Sequence, residues 1–173
     1  MNIIKTNSSS IPECISRIDK ESFLVRWGTT PLIIKDEVGN EIEVGYESFE
    51  SVIQSRPYDI NKIRSVILNY YNDKCNQEIL SGLTYEGSLV WLSSENQFNY
   101  KAAFDFAFQT IASGREFIPV TVKLGEEDTP VYKTFSGITE LQEFITSCFT
   151  HIQNTLYKYW EIKDNIDWSK YEI

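Results

Sequence analysis

Apolar side chains recur at helical spacing in three separate stretches, and this pattern limits most strongly which folds the chain can adopt. The stripes lie at residues 63–75, 100–111 and 141–159. Each stripe predicts a helix with one buried face. An amphipathic helix must bury that face against another element, so the chain needs a sheet or further helices to cover all three.

Short segments with alternating apolar residues lie between and before these helices. "LTYEGSLVWL" contains a turn signal at Glu86 and Gly87, and "FIPVTVKLG" and "PVYKTF" are joined by the acidic loop at residues 126–128. Both patterns predict β-hairpins. Residues 22–46, with "SFLVRW" and "PLIIKDEVGNEIEVGY", predict a further small β element.

We therefore predict an α+β fold, with an antiparallel sheet built from local hairpins and covered on one side by about three amphipathic helices. Residues 1–58 would form an N-terminal arm and the small β element, which we expect to be an attachment surface, and residues 59–173 the α+β domain with a docked tail. Residues 1–20 are turn-rich and carry few apolar side chains, so we expect this arm to order only against a partner.

Four polar residues are predicted to mark helix starts. Asp59 precedes the first stripe and Thr139 the third. In "VWLSSENQFNYKAAFD", Ser94 would accept from a free backbone N–H and Gln97 would complete a capping box. The alternative is a ligand-binding or catalytic cluster at residues 93–96. No glycine-rich loop or GxSxG motif accompanies the serines, which favours capping.

A further candidate for chemistry is the pair Cys148 and His151, which share a helix face and would serve as nucleophile and base. Cys148 lies on the apolar stripe, where a free cysteine behaves as a small hydrophobe. His151 is the only histidine, so no histidine-rich site can form, and residues 126–128 lack the spacing of a calcium loop. We predict no catalytic residue, no metal and no cofactor.

The charge of the chain bears on its partners. The net charge is −9 and no basic stripe emerges, so we expect neither nucleic acid nor a membrane surface as a partner. No apolar run suits a signal peptide or a membrane span. The three cysteines are widely spaced, which predicts reduced thiols in the cytoplasm or in a particle assembled there.

Large aromatic residues supply candidate interface positions, because such side chains anchor many protein interfaces. They are Trp27, Trp160, Trp168 and Tyr171. For the C-terminal segment "IDWSKYE", docking on the chain's own core is the favoured interpretation, and docking on a neighbouring subunit is the alternative.

Three segments carry a resemblance to a known family. "LSGLTYEGSLVWLSSENQFNYKAAFDFA", "FIPVTVKLGEEDTPVYKTF" and "YWEIKDNIDWSKYE" are similar to a domain of unknown function found in bacteriophages and prophages, many of whose members lie beside tail-fibre genes. This version resembles those of crAss-like phages of gut bacteria. The resemblance runs from Asp59 to Glu172 and includes no catalytic motif that can be transferred.

What the resemblance implies is a virion component, made in the cytoplasm of a bacterial host. We expect a non-enzymatic structural or adaptor protein, associated with a tail or head fibre, that binds other phage structural proteins and forms a homo-oligomer. Only residues 1–58 precede the family domain, so a fibre shaft is not expected. The alternatives are a fibre or tail assembly chaperone that the virion does not retain, and a glycan-active enzyme.

Overall fold

The computed structural model describes residues 2–173 and confirms the α+β class. The helices are α1 (Ile60–Ser81), α2 (Ser94–Ala112) and α3 (Ile138–Asp164), followed by a short 3-10 helix at Trp168–Tyr171. The strands are β1 (Ile4–Ser8), β2 (Ile15–Arg17), β3 (Ser22–Lys35), β4 (Glu41–Gln54), β5 (Leu83–Tyr85), β6 (Ser88–Val90), β7 (Val120–Gly125) and β8 (Pro130–Phe135).

The chain divides into two compact units. The first contains residues 1–70 and 166–173, and the second contains residues 71–165. The boundary lies inside α1, between Tyr70 and Tyr71, and not before Asp59 as the sequence suggested. The start of α1 belongs to the first unit because the ring of Tyr70 packs on residues of the sheet, with its centroid 4.7 Å from that of Phe49.

The first unit contains a four-stranded antiparallel sheet in the order β1-β4-β3-β2. Strands β3 and β4 form a long hairpin, with β1 paired to residues 46–50 of β4 and β2 to residues 23–25 of β3. The expectation of a free N-terminal arm was therefore wrong, because its residues supply both edge strands. Backbone hydrogen bonds hold such strands, and the side chains of "IKTNS" in β1 show no apolar alternation that would predict them.

One face of β3 supplies much of the core of the first unit. Phe23, Val25 and Trp27 alternate along the strand and are all buried. Ile63 and Ile67, on the predicted stripe of α1, are also buried. The N-terminal β element is therefore larger than predicted and contains the widest sheet of the described chain.

The second unit packs two separate two-stranded hairpins, β5–β6 and β7–β8, with α2 and α3. The ring of Phe144 in α3 lies at the centre of its core, with centroids 5.1 Å from Tyr85, 5.2 Å from Tyr100 and 5.1 Å from Phe135. These contacts join both hairpins and both helices through one side chain. An isolated two-stranded hairpin is at best marginally stable in water, so the helices supply the cover that each hairpin lacks.

The stripe of α2 differs from the predicted one at its C-terminal end. Tyr100 and Ala107 are buried as expected, but Phe108 and Ile111 are exposed. Thr110 is buried instead, and its hydroxyl donates to the carbonyl of Phe106 at 2.8 Å. A hydroxyl that bonds within its own helix can enter a core, which hydrophobicity alone does not reveal.

We predict that Phe144→Ala lowers the free energy of unfolding of the second unit by about 3–5 kcal/mol, because it leaves a cavity in a fully buried aromatic cluster. Phe98→Ala is the matched control, since Phe98 is 71% exposed in the same unit, and a change within about 0.5 kcal/mol is expected. Urea unfolding monitored by circular dichroism measures both. Equal effects of the two substitutions would contradict this description of the core.

Candidate functional site

The polar residues after β6 connect a strand to a helix. The N-cap of α2 is Ser93, whose hydroxyl accepts from the backbone N–H of Asn96 at 3.2 Å, so the prediction of Ser94 was wrong by one residue. Gln97 does not form the predicted capping box. Its amide donates to the carbonyl of Leu92, as the amide of Asn96 does to the carbonyl of Trp91, both at 2.8 Å. These carbonyls follow the end of β6 and need donors outside the ladder.

The other two predicted helix starts differ in outcome. Asp59 lies immediately before α1, and its carboxylate accepts from the backbone N–H of Asn61 at 2.9 Å. Thr139 is not a cap, because α3 begins one residue earlier and its N-cap is Gly137, without a side-chain bond. Ile138, the first residue of this helix, packs against the core of the second unit.

Cys148 and His151 are engaged in separate structural contacts. Cys148 is buried, and burial raises the pKa of its thiol to about 12. The Nε2 atom of His151 lies 2.9 Å from the backbone carbonyl of Glu78, near the end of α1, and donates to it. The ammonium of Lys158 donates to the Glu78 carboxylate at 2.8 Å. This hydrogen bond is the main reason that the pKa of Glu78 is lowered. The histidine therefore gives a second hydrogen bond to a helix-terminal carbonyl, which also accepts from the backbone N–H of Gly82 at 2.8 Å.

Two of the four predicted interface aromatics are inside the first unit. Trp27 and Tyr171 are almost completely buried, so they are not available to a partner. The hydroxyl of Tyr171 donates to the carbonyl of Arg26 at 2.9 Å, and the hydroxyl of Tyr58 donates to the carbonyl of Tyr171. These bonds dock the C-terminal segment on its own chain. Hydrophobicity marks such rings for burial or binding without deciding between them.

The remaining two aromatics are accessible. Trp168 is half-buried, with the guanidinium of Arg64 5.3 Å above its ring. Trp160 on α3 is 46% exposed and meets the ring of Tyr157 edge-on. Phe149 lies on the same helix and is also exposed.

The distal part of the β3–β4 hairpin, residues 32–45, forms a two-stranded extension that we call the hairpin extension. The partners β1 and β2 end before it, so no third strand pairs with it in the part of the chain that the structure describes. Gly45 lies at its base, at φ 148°, where an added Cβ would collide with the carbonyl oxygen of Ser8 at the end of β1.

Apolar residues of the hairpin extension are exposed on both of its faces. Ile34 lies directly opposite Ile42 on one face, and Ile33 points to the other. All three are about half exposed, and Val38 in the loop is 86% exposed. The sequence placed these residues on the two arms of a hairpin within the predicted β attachment element. The alternating pattern of these residues predicts two strands, but it does not predict that β3 and β4 extend beyond the ends of β1 and β2.

The loop of the extension is ordered by Asp36. Its carboxylate accepts from the side chain of Asn40 at 3.0 Å and from the backbone N–H groups of Asn40 and Val38 at 2.8 and 2.9 Å. The same hydrogen bonds, with the side chain of Asn40 foremost, hold the pKa of Asp36 below its usual value. The exposed Val38 is therefore presented on a defined loop.

A cleft of about 700 Å³ lies in the second unit, between α2 and β7. Its lining includes Trp91, Asn99 and Thr121, with the acidic residues Glu126 and Glu127 at the end of β7. The sequence predicts a strand position for Trp91 and a hairpin tip for the acidic loop at residues 126–128. The signal that it missed is the position of Trp91 between two core residues, which turns its ring away from the core.

Across residues 2–173 no group of three or more His, Cys, Asp or Glu side chains is placed to hold a metal ion. None of the helices in that range combines the length and the apolar character that a membrane crossing requires.

Comparison of the chain with protein-family models, with curated proteins and with solved structures found no match.

The cap assignment predicts different effects for two neighbouring serines. Ser93→Ala should lower the free energy of unfolding of the second unit by about 1 kcal/mol, because a helix N–H loses its acceptor. Ser94→Ala should change it by less than about 0.5 kcal/mol, since that residue is exposed in the first turn. Urea unfolding of both variants measures the two changes. A larger loss of unfolding free energy for Ser94→Ala than for Ser93→Ala would contradict the assignment of Ser93 as the N-cap.

The three thiols should differ in reactivity. At pH 8, about one in 10⁴ Cys148 side chains is a thiolate if its pKa is about 12. Burial also raises the pKa of Cys75, whereas Cys14 is partly exposed. We expect iodoacetamide to label Cys14 well before the other two in the folded protein, as followed by peptide mass spectrometry. Labelling of Cys148 as fast as Cys14 would show an activated thiol.

Proposed function

We propose that this chain is a non-enzymatic structural or adaptor protein of a bacteriophage particle, which binds other phage structural proteins. The observation that carries the proposal is the hairpin extension, an ordered projection with apolar residues on both faces and no covering element among the described residues. The particle is the context implied by the resemblance of residues 59–172 to the phage domain.

The extension is better suited to binding than to stability. Its exposed isoleucines remove little apolar surface from water within the chain, so they contribute little to folding. Natural sheets usually protect uncovered strand edges with charges and bulges, and the extension has both: Lys35 lies opposite Glu41, and the register shifts after Leu32. These features oppose unspecific strand pairing while leaving the apolar side chains open to a matching surface.

Charge defines the kind of partner that the extension suits. Residues 32–45 contain four acids and one lysine, a net charge of −3. A complementary surface is an apolar groove with a basic rim. A second copy of this acidic chain, with its net charge of −9, is a poor match for the extension itself. Self-association is instead proposed through the exposed rings of Phe149, Tyr157 and Trp160 on α3.

The proposal predicts a loss of incorporation when the apolar pair of the extension is removed. Ile34→Thr with Ile42→Thr keeps residues of high strand propensity but takes away two anchors, so the amount in purified particles should fall about tenfold or more. Val52→Thr is the matched control, because Val52 is equally exposed on β4 but lies outside the extension. Quantitative mass spectrometry of particles from the encoding phage measures all three proteins.

Two results would overturn parts of this proposal. Absence of the unaltered protein from purified particles would favour an assembly chaperone. Incorporation that is equal for the double variant and the control would remove the extension from the binding surface. An unfolded double variant is recognised by its circular dichroism, and in that case Val38→Ser in the loop tests the same surface.

A further inference from the structure

We propose that the cleft between α2 and β7 binds a neutral saccharide. It lies in the second unit, apart from the residues that carry the proposed function. Its volume of about 700 Å³ is within the range of small-molecule sites, roughly 300–1,000 Å³. The lining combines an open aromatic ring, side-chain amides, a hydroxyl and carboxylates, over an apolar floor that includes Ala103 and Val120.

The aromatic wall is provided by Trp91. Val90 and Leu92, on either side of it, are completely buried, whereas Trp91 is 47% exposed. Its carbonyl is held by the amide of Asn96, which fixes the backbone from which the ring projects. An indole combines a large apolar face with low conformational freedom, so it is well suited to stack on a flat ligand. The C–H faces of sugar rings are ligands of this kind.

The polar groups around Trp91 fit the hydroxyls of a sugar. The exposed amide of Asn99 both donates and accepts, and the hydroxyl of Thr121, which bonds the hydroxyl of Thr134 at 2.9 Å, keeps capacity for a further hydrogen bond. Glu126 and Glu127 accept from hydroxyl groups at the far end of the cleft. A sugar hydroxyl is donor and acceptor at once, so this mixed set can satisfy several of them.

The charge of the lining argues against anionic ligands. Among the described residues that line it, Lys123 is the single cationic side chain, against the two glutamates. A phosphate, a nucleotide or an acidic polysaccharide would therefore meet net repulsion. A neutral hexose or N-acetylhexosamine oligomer avoids this repulsion and still offers both ring faces and hydroxyls.

The test uses the full chain and two kinds of probe. A glycan array with neutral hexose and N-acetylhexosamine oligosaccharides, together with sulfated and uronate-containing ones, identifies what is bound. Free monosaccharides and soluble oligosaccharides are then titrated while tryptophan fluorescence is recorded, which separates a monomer site from a polysaccharide site. We expect binding to neutral oligosaccharides and weaker or no binding to the anionic series.

Matched variants locate the site. Trp91→Ala should weaken binding, measured by isothermal titration calorimetry, about tenfold or more, because stacking on the ring is lost. Phe98→Ala is the control, since Phe98 is an exposed aromatic residue in the same unit that does not line the cleft, and the affinity of this variant should be unchanged. Asn99→Ala should weaken binding severalfold and does not depend on how well the Trp91 variant folds.

Two outcomes overturn the inference. One is the absence of binding to every neutral saccharide on the array at millimolar concentration. The other is an equal loss of affinity in the Trp91 and Phe98 variants. Neither outcome touches the proposed function, because the hairpin extension belongs to the other unit and is tested by incorporation into particles.

Discussion

Burial of the Phe144 ring is the interaction on which the second unit depends. A two-stranded hairpin has one face to bury and no second layer of its own, and this unit contains two such hairpins. The ring meets Tyr85 of one hairpin, Phe135 of the other and Tyr100 of α2. Because a single side chain of α3 contacts all three elements, helix and hairpins gain their stability together. The exposed features of the unit, including the cleft, are held by this core.

The long hairpin of the first unit is stabilised differently from the two short hairpins of the second. The proximal half of its long hairpin gains neighbours on both sides, β1 and β2, and buries Phe23, Val25 and Trp27. Among residues 2–173, the distal half has neither a third strand beside it nor an element that covers its exposed isoleucines. Helices cover the hairpins of the second unit, and neighbouring strands pair with the proximal half of the hairpin in the first. The stretch at residues 32–45 has neither and is therefore the exception. An ordered loop built by Asp36 argues that this stretch is a formed surface and not a frayed end.

The sequence predicted most of what depends on periodicity. The stripe through Ile63 and Ile67 defines α1, and the turn at Glu86 and Gly87 defines the β5–β6 hairpin, where both residues have positive φ. The sequence did not predict β1, because backbone hydrogen bonds and not apolar side chains hold that strand. It also did not predict which serine caps α2, because Ser93 and Ser94 are the same residue type at adjacent positions. The candidate sites were predicted least well. Whether Trp27 or Trp160 is exposed depends on which residues pack against its ring. A single sequence does not give these tertiary contacts.

Residues that look reactive and residues that are available for binding turn out to be different sets. Cys148 and His151 stand out in the sequence as chemical groups, but one is buried with a raised pKa and the other bonds a helix-terminal carbonyl. Trp91 stands out less, because strands contain many aromatics. Its two buried neighbours force its ring to the opposite side, where it meets a cleft and not solvent alone. The binding proposed for the cleft therefore rests on a side chain that the core has turned outward, and such side chains can be found wherever an aromatic residue interrupts a buried alternation.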